Sequence, residues 1–207
     1  MAGSAGDRVG VFGGTFDPVH IGHLLVACYA LDALQLYKGL FVPAGRPPHK
    51  PGQIVSSDED RLAMLALAIE GRAGFEVSLA DLRRDGPSYS VDLLSALRNA
   101  HPEDEMYFII GADSLRDFHL WRQPTAIANI ATIVVAGRPG VELDIAAAVR
   151  LTPALERRVV GIETPLIEIS ATSIRERVRD GSPIWYQTPE PVEHYISGHG
   201  RYRTDQR

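Results

Sequence analysis

The chain reads as an α/β protein: a Rossmann-like, doubly wound and mainly parallel sheet with helices on both faces. Two observations predict it. Short, continuously apolar runs rich in strand formers recur along the sequence. Amphipathic stretches of roughly ten or more residues separate them, long enough for the right-handed crossovers that join parallel strands. Taken in order, Val9 to Phe12 reads as a strand, Ile21 to Leu36 as a helix, Leu40 to Val42 as a strand and Asp58 to Glu70 as a helix. Phe75 to Val77 (strand), Val91 to Ala100 (helix), Met106 to Ile110 (strand) and Ala131 to Val135 (strand) continue the alternation. Val159 to Ile162 and Leu166 to Ile169 are strand-like, and Ala171 to Arg179 reads as a helix closed by Gly181. Val192 to Ile196 suggests a last short helix before a polar tail, Gly198 to Arg207, that is expected to be mobile.

A length of 207 residues suits one core. Residues 1–207 are therefore expected to form a single domain, with 182–207 as a small C-terminal extension and tail. A composition of 45% hydrophobic and 23% charged residues is that of a globular protein. The net charge of −5, with no run of Lys and Arg, argues against a nucleic-acid partner. No segment approaches the ~18 apolar residues of a membrane span, and no signal-peptide pattern opens the chain. Cys28, the only cysteine, permits no disulfide framework and is expected as a small core residue. These features point to the cytoplasm. They leave self-association open.

The chemistry concentrates after the first strand, in Gly13-Gly14-Thr15-Phe16-Asp17-Pro18-Val19-His20-Ile21-Gly22-His23. In a doubly wound sheet such a loop lies beyond the carboxyl ends of the strands, where ligands sit. Two glycines let backbone N–H groups approach a phosphate, and the following helix aims its positive end at the same place. A glycine pair after a strand is more often a simple turn, so the histidines carry more weight. His20 and His23, three apart at a helix start, put both rings on one face, where each can donate to a phosphoryl oxygen. They could also be surface histidines at a cap. A zinc pair lacks its third ligand.

Near the other end, Ser170, Thr172 and Ser173 surround a helix start and Arg175 adds a cation in its first turn. Capping alone would explain the hydroxyls but gives Arg175 no task. Lys50 follows Pro47-Pro48-His49 on a stiffened loop, a suitable place for a point charge that meets a phosphate.

These segments carry a resemblance. His20-Ile21-Gly22-His23 is the HIGH signature of the nucleotidyltransferase superfamily, and Gly13 to His23 resembles the opening of bacterial nicotinate-nucleotide adenylyltransferases. FVPAGRPPHK (Phe41 to Lys50), GPSYS (Gly86 to Ser90), GADSLRDFHLW (Gly111 to Trp121) and ISATSIR (Ile169 to Arg175) are similar to later family segments and stand in the expected order. The resemblance implies transfer of AMP from ATP to nicotinate mononucleotide, with release of pyrophosphate. It implies catalytic roles for His20, His23, Lys50 and Arg175 together with Mg²⁺ held mainly by the substrate phosphates. ATP would be bound by Gly13, Gly14, Thr15, Phe16, Asp113, Arg138, Ser170, Thr172 and Ser173. Nicotinate mononucleotide would stack on Trp121 and present its carboxylate to backbone N–H groups around Tyr89 and Ser90. Ala171 stands where the family often has a second Ser, and Ser90 where Thr is commoner. Rival readings are an adenylyltransferase acting on the amidated mononucleotide or on phosphopantetheine, and a non-catalytic nucleotide sensor. Class I aminoacyl-tRNA synthetases share HIGH, but this chain is too short for a tRNA-reading domain.

Overall fold

The computed structural model describes residues 6–46, 56–137, 143–165 and 167–203. Among these, six strands form one sheet: β1 (Arg8–Gly14), β2 (Lys38–Pro43), β3 (Phe75–Val77), β4 (Glu105–Gly111), β5 (Thr132–Ala136) and β6 (Val159–Ile162). All adjacent pairs are parallel, in the order β3-β2-β1-β4-β5-β6. The chain winds outward from β1 through β2 to β3, then returns to β4 on the other side of β1. That reversal opens a crevice at the carboxyl ends of β1 and β4.

Eight helices accompany the described strands: α1 (Ile21–Ala33), α2 (Asp58–Ile69), α3 (Ser90–Ala100), α4 (Ala112–Arg116), α5 (Pro124–Ile130), α6 (Ile145–Leu151), α7 (Ala171–Arg179) and α8 (Glu190–Gly198). Side chains on a strand alternate between faces, and the core divides accordingly. Val11, Phe108, Ile133 and Val135 join Leu94 of α3 and Ile127 of α5 on one face. Phe12, Phe41 and Val134 join Met64 and Leu65 of α2, Ile174 of α7 and Val192 of α8 on the other. Covering both faces is what makes the strands continuously apolar.

The expected elements are present, with ends shifted by a residue or a few, except for one strand, and three short helices are present that the sequence does not lead one to expect. Leu166 lies outside the described residues, and 167–170 form no strand. Among the described residues the sheet ends at β6, and Ile167 to Ile169 line the crevice instead of pairing. Helices α4, α5 and α6 have seven residues or fewer, too short for the sequence to display a helical period.

Cys28 is exposed, against the expectation of a core position. Helix α1 is apolar almost all round, so its pattern does not mark a buried face. Ala27 and Ala30 turn inward, and Cys28, rotated ~100° from Ala27, turns out. The polar tail is also pinned as far as it is described. Arg201 pairs with Asp60 at 3.0 Å, and the Tyr202 hydroxyl donates to Asp17 Oδ1 at 2.7 Å. No helix among the described residues is long and apolar enough to cross a membrane.

Candidate active site

A cleft of about 900 Å³ occupies the crevice. Its size falls in the upper range for small-molecule sites. One wall is the β1–α1 loop. Phe16 takes a left-handed backbone conformation, with φ 52°, and folds its ring back over Gly14. A Cβ on Gly14 would come within 2.9 Å of that ring. Gly22 has a similar reason: a Cβ there would stand 3.1 Å from His20 Nδ1, so the glycine lets the His20 ring lie against the first turn of α1.

His20 and His23 both line the cleft, with rings stacked 3.6 Å apart at 26°. The His20 backbone N–H donates to His23 Nδ1 at 3.2 Å. A ring nitrogen that accepts a backbone N–H carries no proton, so the His23 N–H is on Nε2, directed away from the helix backbone. Phe16 meets the His23 ring edge-on at 5.0 Å and limits its rotation.

Three elements hold this loop from below. Arg61 of α2 is fully buried and donates to the carbonyls of Thr15 at 2.9 Å and Ala44 at 2.8 Å. It also pairs with Asp58. Arg175 of α7 donates to the Asp17 carbonyl at 2.7 Å and reaches Thr172 Oγ1 at 3.4 Å. Tyr202 holds the Asp17 carboxylate, which is 1% exposed. Burial, followed by the neighbouring Asp17 charge, pushes the Tyr202 hydroxyl well above the ordinary tyrosine range, so it stays a donor.

Gly13, Gly14, Thr15, Phe16, Asp113, Ser170, Thr172 and Arg175 all line the cleft. Ser173 does not line it; its backbone N–H donates to the capping hydroxyl of Ser170 at 3.1 Å. Lys50 and Arg138 lie outside the described residues.

The facing wall carries Tyr89, Ser90 and Trp121. Trp121 is half-buried, tilted on Phe118 at 5.3 Å and edge-on to Phe108 at 6.3 Å, so it belongs to the core and the cleft at once. Arg122 stacks its guanidinium 4.6 Å from the Tyr89 ring centre. The Tyr89 N–H is already taken by the Pro87 carbonyl at 3.0 Å. The next amides, Ser90 and Val91, open α3 and have no intrahelical acceptor. The loop before α3 is fastened to the end of β2, since Asp81 accepts from the Gly45 N–H at 3.1 Å and Ser88 from the Arg46 N–H at 2.8 Å.

This geometry coincides with a family match. Residues 11–177 fit the family model described as cytidylyltransferase-like. The chain is 48% identical to "Probable nicotinate-nucleotide adenylyltransferase" of Thermomicrobium roseum, over 95% of this chain and 92% of that one. It is 43% identical to a protein of the same description from Thermus thermophilus, over 95% of this chain and all of that one. The chain belongs to the nicotinate-nucleotide adenylyltransferase family. Its fold superimposes on Plasmodium falciparum nicotinic acid mononucleotide adenylyltransferase complexed with APC, with a TM-score of 0.77 at 18% identity over 95% of this chain and 97% of that one. The same enzyme complexed with NaAD gives a TM-score of 0.75 at 19% identity, with the same coverage.

Three residues that hold the site, Asp17, Arg61 and Tyr202, have no task that the sequence assigns. Arg61 does leave a signal, since a charged residue stands in line with Met64 and Leu65 on the buried stripe of α2. Asp17 and Tyr202 leave none, because 185 residues separate the partners.

Proposed function

We propose that the protein transfers the AMP part of ATP to nicotinate mononucleotide, forming nicotinate adenine dinucleotide and releasing pyrophosphate. The observation that carries this reading is the pairing of two unlike walls in one cleft. Stacked histidines at a helix start stand on one side, and an aromatic wall with an open helix N-terminus stands on the other. A phosphate oxygen of the mononucleotide attacks the α-phosphorus of ATP. The bond from that phosphorus to the bridging oxygen breaks, and pyrophosphate leaves with the electron pair. The attacking oxygen is already anionic, so no strong base is needed and no covalent enzyme intermediate forms.

Alignment and neutralisation of charge then make up most of the catalysis. His23 Nε2–H donates to an α-phosphoryl oxygen, and His20 stands beside it. Thr172 and Arg175 border the polyphosphate; the family resemblance adds Lys50 and Arg138, which lie outside the described residues, as candidate cations for the ATP phosphates. Gly13 to Phe16, Ser170 and Asp113 bind the rest of ATP. Ser173 supports the Ser170 cap. Trp121 stacks on the pyridine, with Tyr89 beside it, and backbone amides around Tyr89 and Ser90, where α3 opens, receive the carboxylate. Among the described residues no three His, Cys, Asp or Glu side chains stand together to hold a metal. Mg²⁺ prefers oxygen ligands; when bound it would be held mainly by the substrate phosphates and would supply neutralisation of their charge. The lone, disulfide-free Cys28 suits the cytoplasm.

A coupled pyrophosphate assay with ATP against nicotinate mononucleotide, its amide and phosphopantetheine tests the reading. The acid should be preferred over the amide by roughly 10- to 1000-fold in kcat/KM, because an amide NH₂ facing a backbone donor leaves that donor unpaired. Equal use of the amide would overturn the acceptor assignment. Turnover of phosphopantetheine alone, or binding without pyrophosphate release, would support the two rival readings.

A further inference from the structure

The C-terminal segment reaches back across the fold to the loop that carries the histidines. Leaving α8, the chain places Tyr202 against the buried face of the sheet core that also holds Phe16 and Met64. Its hydroxyl donates to Asp17 Oδ1 at 2.7 Å and accepts from Ser56 Oγ at 3.0 Å. The Ser56 bond orients the phenol so that its proton faces the carboxylate. Asp17 Oδ2 also accepts from the Ser56 backbone N–H at 3.4 Å. Asp17 is three residues before His20, and its carbonyl accepts from Arg175. One residue thus connects the C-terminus, α7 and the histidine loop.

Two further ties hold the same segment without touching the loop. Tyr195 donates to Asp60 Oδ1 at 2.8 Å, and Arg201 pairs with that oxygen at 3.0 Å. Those ties join α8 and the segment after it to α2. The bond from Tyr202 ends instead on Asp17, a residue that lines the cleft.

We propose that Tyr202 is a positioning residue for the transfer reaction: its hydroxyl fixes Asp17, and through Asp17 the placement of His20, His23 and Arg175. The inference rests on the adenylyl-transfer reading for its kinetic consequence, though not for its structural one. A hydrogen bond directed at one carboxylate determines where the loop sits and not merely whether it is folded. Displacement of reacting groups by a fraction of an ångström lowers turnover more than affinity.

The test compares Tyr202→Phe, which keeps the ring, with Arg201→Gln, which cuts only the Asp60 tie. Tyr202→Phe should lower kcat about tenfold while KM for ATP moves less than about twofold. Arg201→Gln should lower the melting temperature and leave kcat of the folded enzyme unchanged. In an Asp17→Asn background, Tyr202→Phe should add little, because the partner is already altered. An unchanged kcat in Tyr202→Phe, or equal losses in both variants, would overturn the proposal. If Tyr202→Phe does not fold, Ser56→Ala carries the same test, with a loss of about threefold expected and none overturning it. Amide hydrogen exchange of residues 15–24 in the full chain separates this proposal from the reading it rests on. Tyr202→Phe should quicken exchange there and not in β5, even if the parent protein proved inactive with these substrates. Uniform exchange would sink the latch by itself.

Discussion

The two walls of the cleft are held by different means. The histidine wall is pinned by polar side chains from distant parts of the chain: the fully buried Arg61 under Thr15, the half-buried Arg175 under Asp17, and the half-buried Tyr202 against the Asp17 carboxylate. The wall proposed to take the acceptor has its loop tied to the end of β2 by Asp81 and Ser88, but its aromatic surface is held by packing. Trp121 rests on Phe118 and Phe108, and Arg122 covers Tyr89. The pair of Arg122 with Asp92, at 3.9 Å, lies at partly exposed positions where it contributes about 1 kcal/mol or less. Directional bonds fix atoms in place, whereas packing fixes a surface. In-line attack at phosphorus depends on the former. Recognition of a flat ring tolerates the latter.

The comparison breaks most visibly if the histidine wall proves tolerant. His23→Ala removes the Nε2 donor whose orientation is set by the His20 N–H. It should lower kcat by about 10²- to 10³-fold with a smaller change in KM for ATP, as expected for a preorganised donor. Single-turnover rates measured beside steady-state values would check this. A parent-like rate from folded His23→Ala would remove the histidine from the reaction.

A milder response is expected across the cleft. Trp121→Ala should raise KM for the nicotinate and nicotinamide mononucleotides by similar factors of about tenfold, leaving their ratio and ATP binding nearly unchanged. Because Trp121 also packs on Phe118, the melting temperature should fall as well. If kcat collapses while KM holds, the acceptor wall aligns atoms as strictly as its partner and the contrast fails.

That contrast also accounts for what could be read from the sequence. The alternation of strands and helices and the HIGH loop are local patterns, and local patterns are legible: β3, β6 and α7 fall on the expected residues. So are His20 and His23, in the loop that follows β1, while Trp121 is legible only through the GADSLRDFHLW segment; all three line the cleft. The pins are not local. Nothing in Gly198 to Arg203 says that Tyr202 meets Asp17, and a polar composition argues instead for a loose tail. The short helices α4 to α6 escape a reading of the sequence for a related reason, since their stability comes from packing rather than from their own periodicity. The strand expected over 166–169 has strand-like composition, but its described residues, 167–169, line the cleft instead of joining the sheet. Tyr89 shows a finer limit: whether its N–H is available is decided by a turn that places the Pro87 carbonyl at 3.0 Å.

The smallest expected effect concerns pH, and it separates the pins from one another. Burial works against the Asp60 charge, but hydrogen bonds from Ser57 and Tyr195 and the Arg201 charge outweigh it, holding that carboxyl below its ordinary value. A depressed carboxyl adds stability above its unfolded pKa, and the contribution disappears as pH falls through the folded value, so this tie weakens only in acid, below about pH 4. Tyr202 behaves in the opposite sense. Its hydroxyl is raised by burial and by Asp17, so its contribution is complete below the unfolded tyrosine pKa of about 10 and declines as pH climbs above it. Thermal melts of the parent and of Tyr202→Phe should therefore lie a constant interval apart from about pH 6 to 9, and converge by a few degrees between about pH 10 and 11. Arg201→Gln should show no such alkaline convergence and should instead approach the parent in acid. Parallel alkaline curves for the parent and Tyr202→Phe would mean that the phenol does not hold its proton against Asp17, and the histidine wall would lose its third pin.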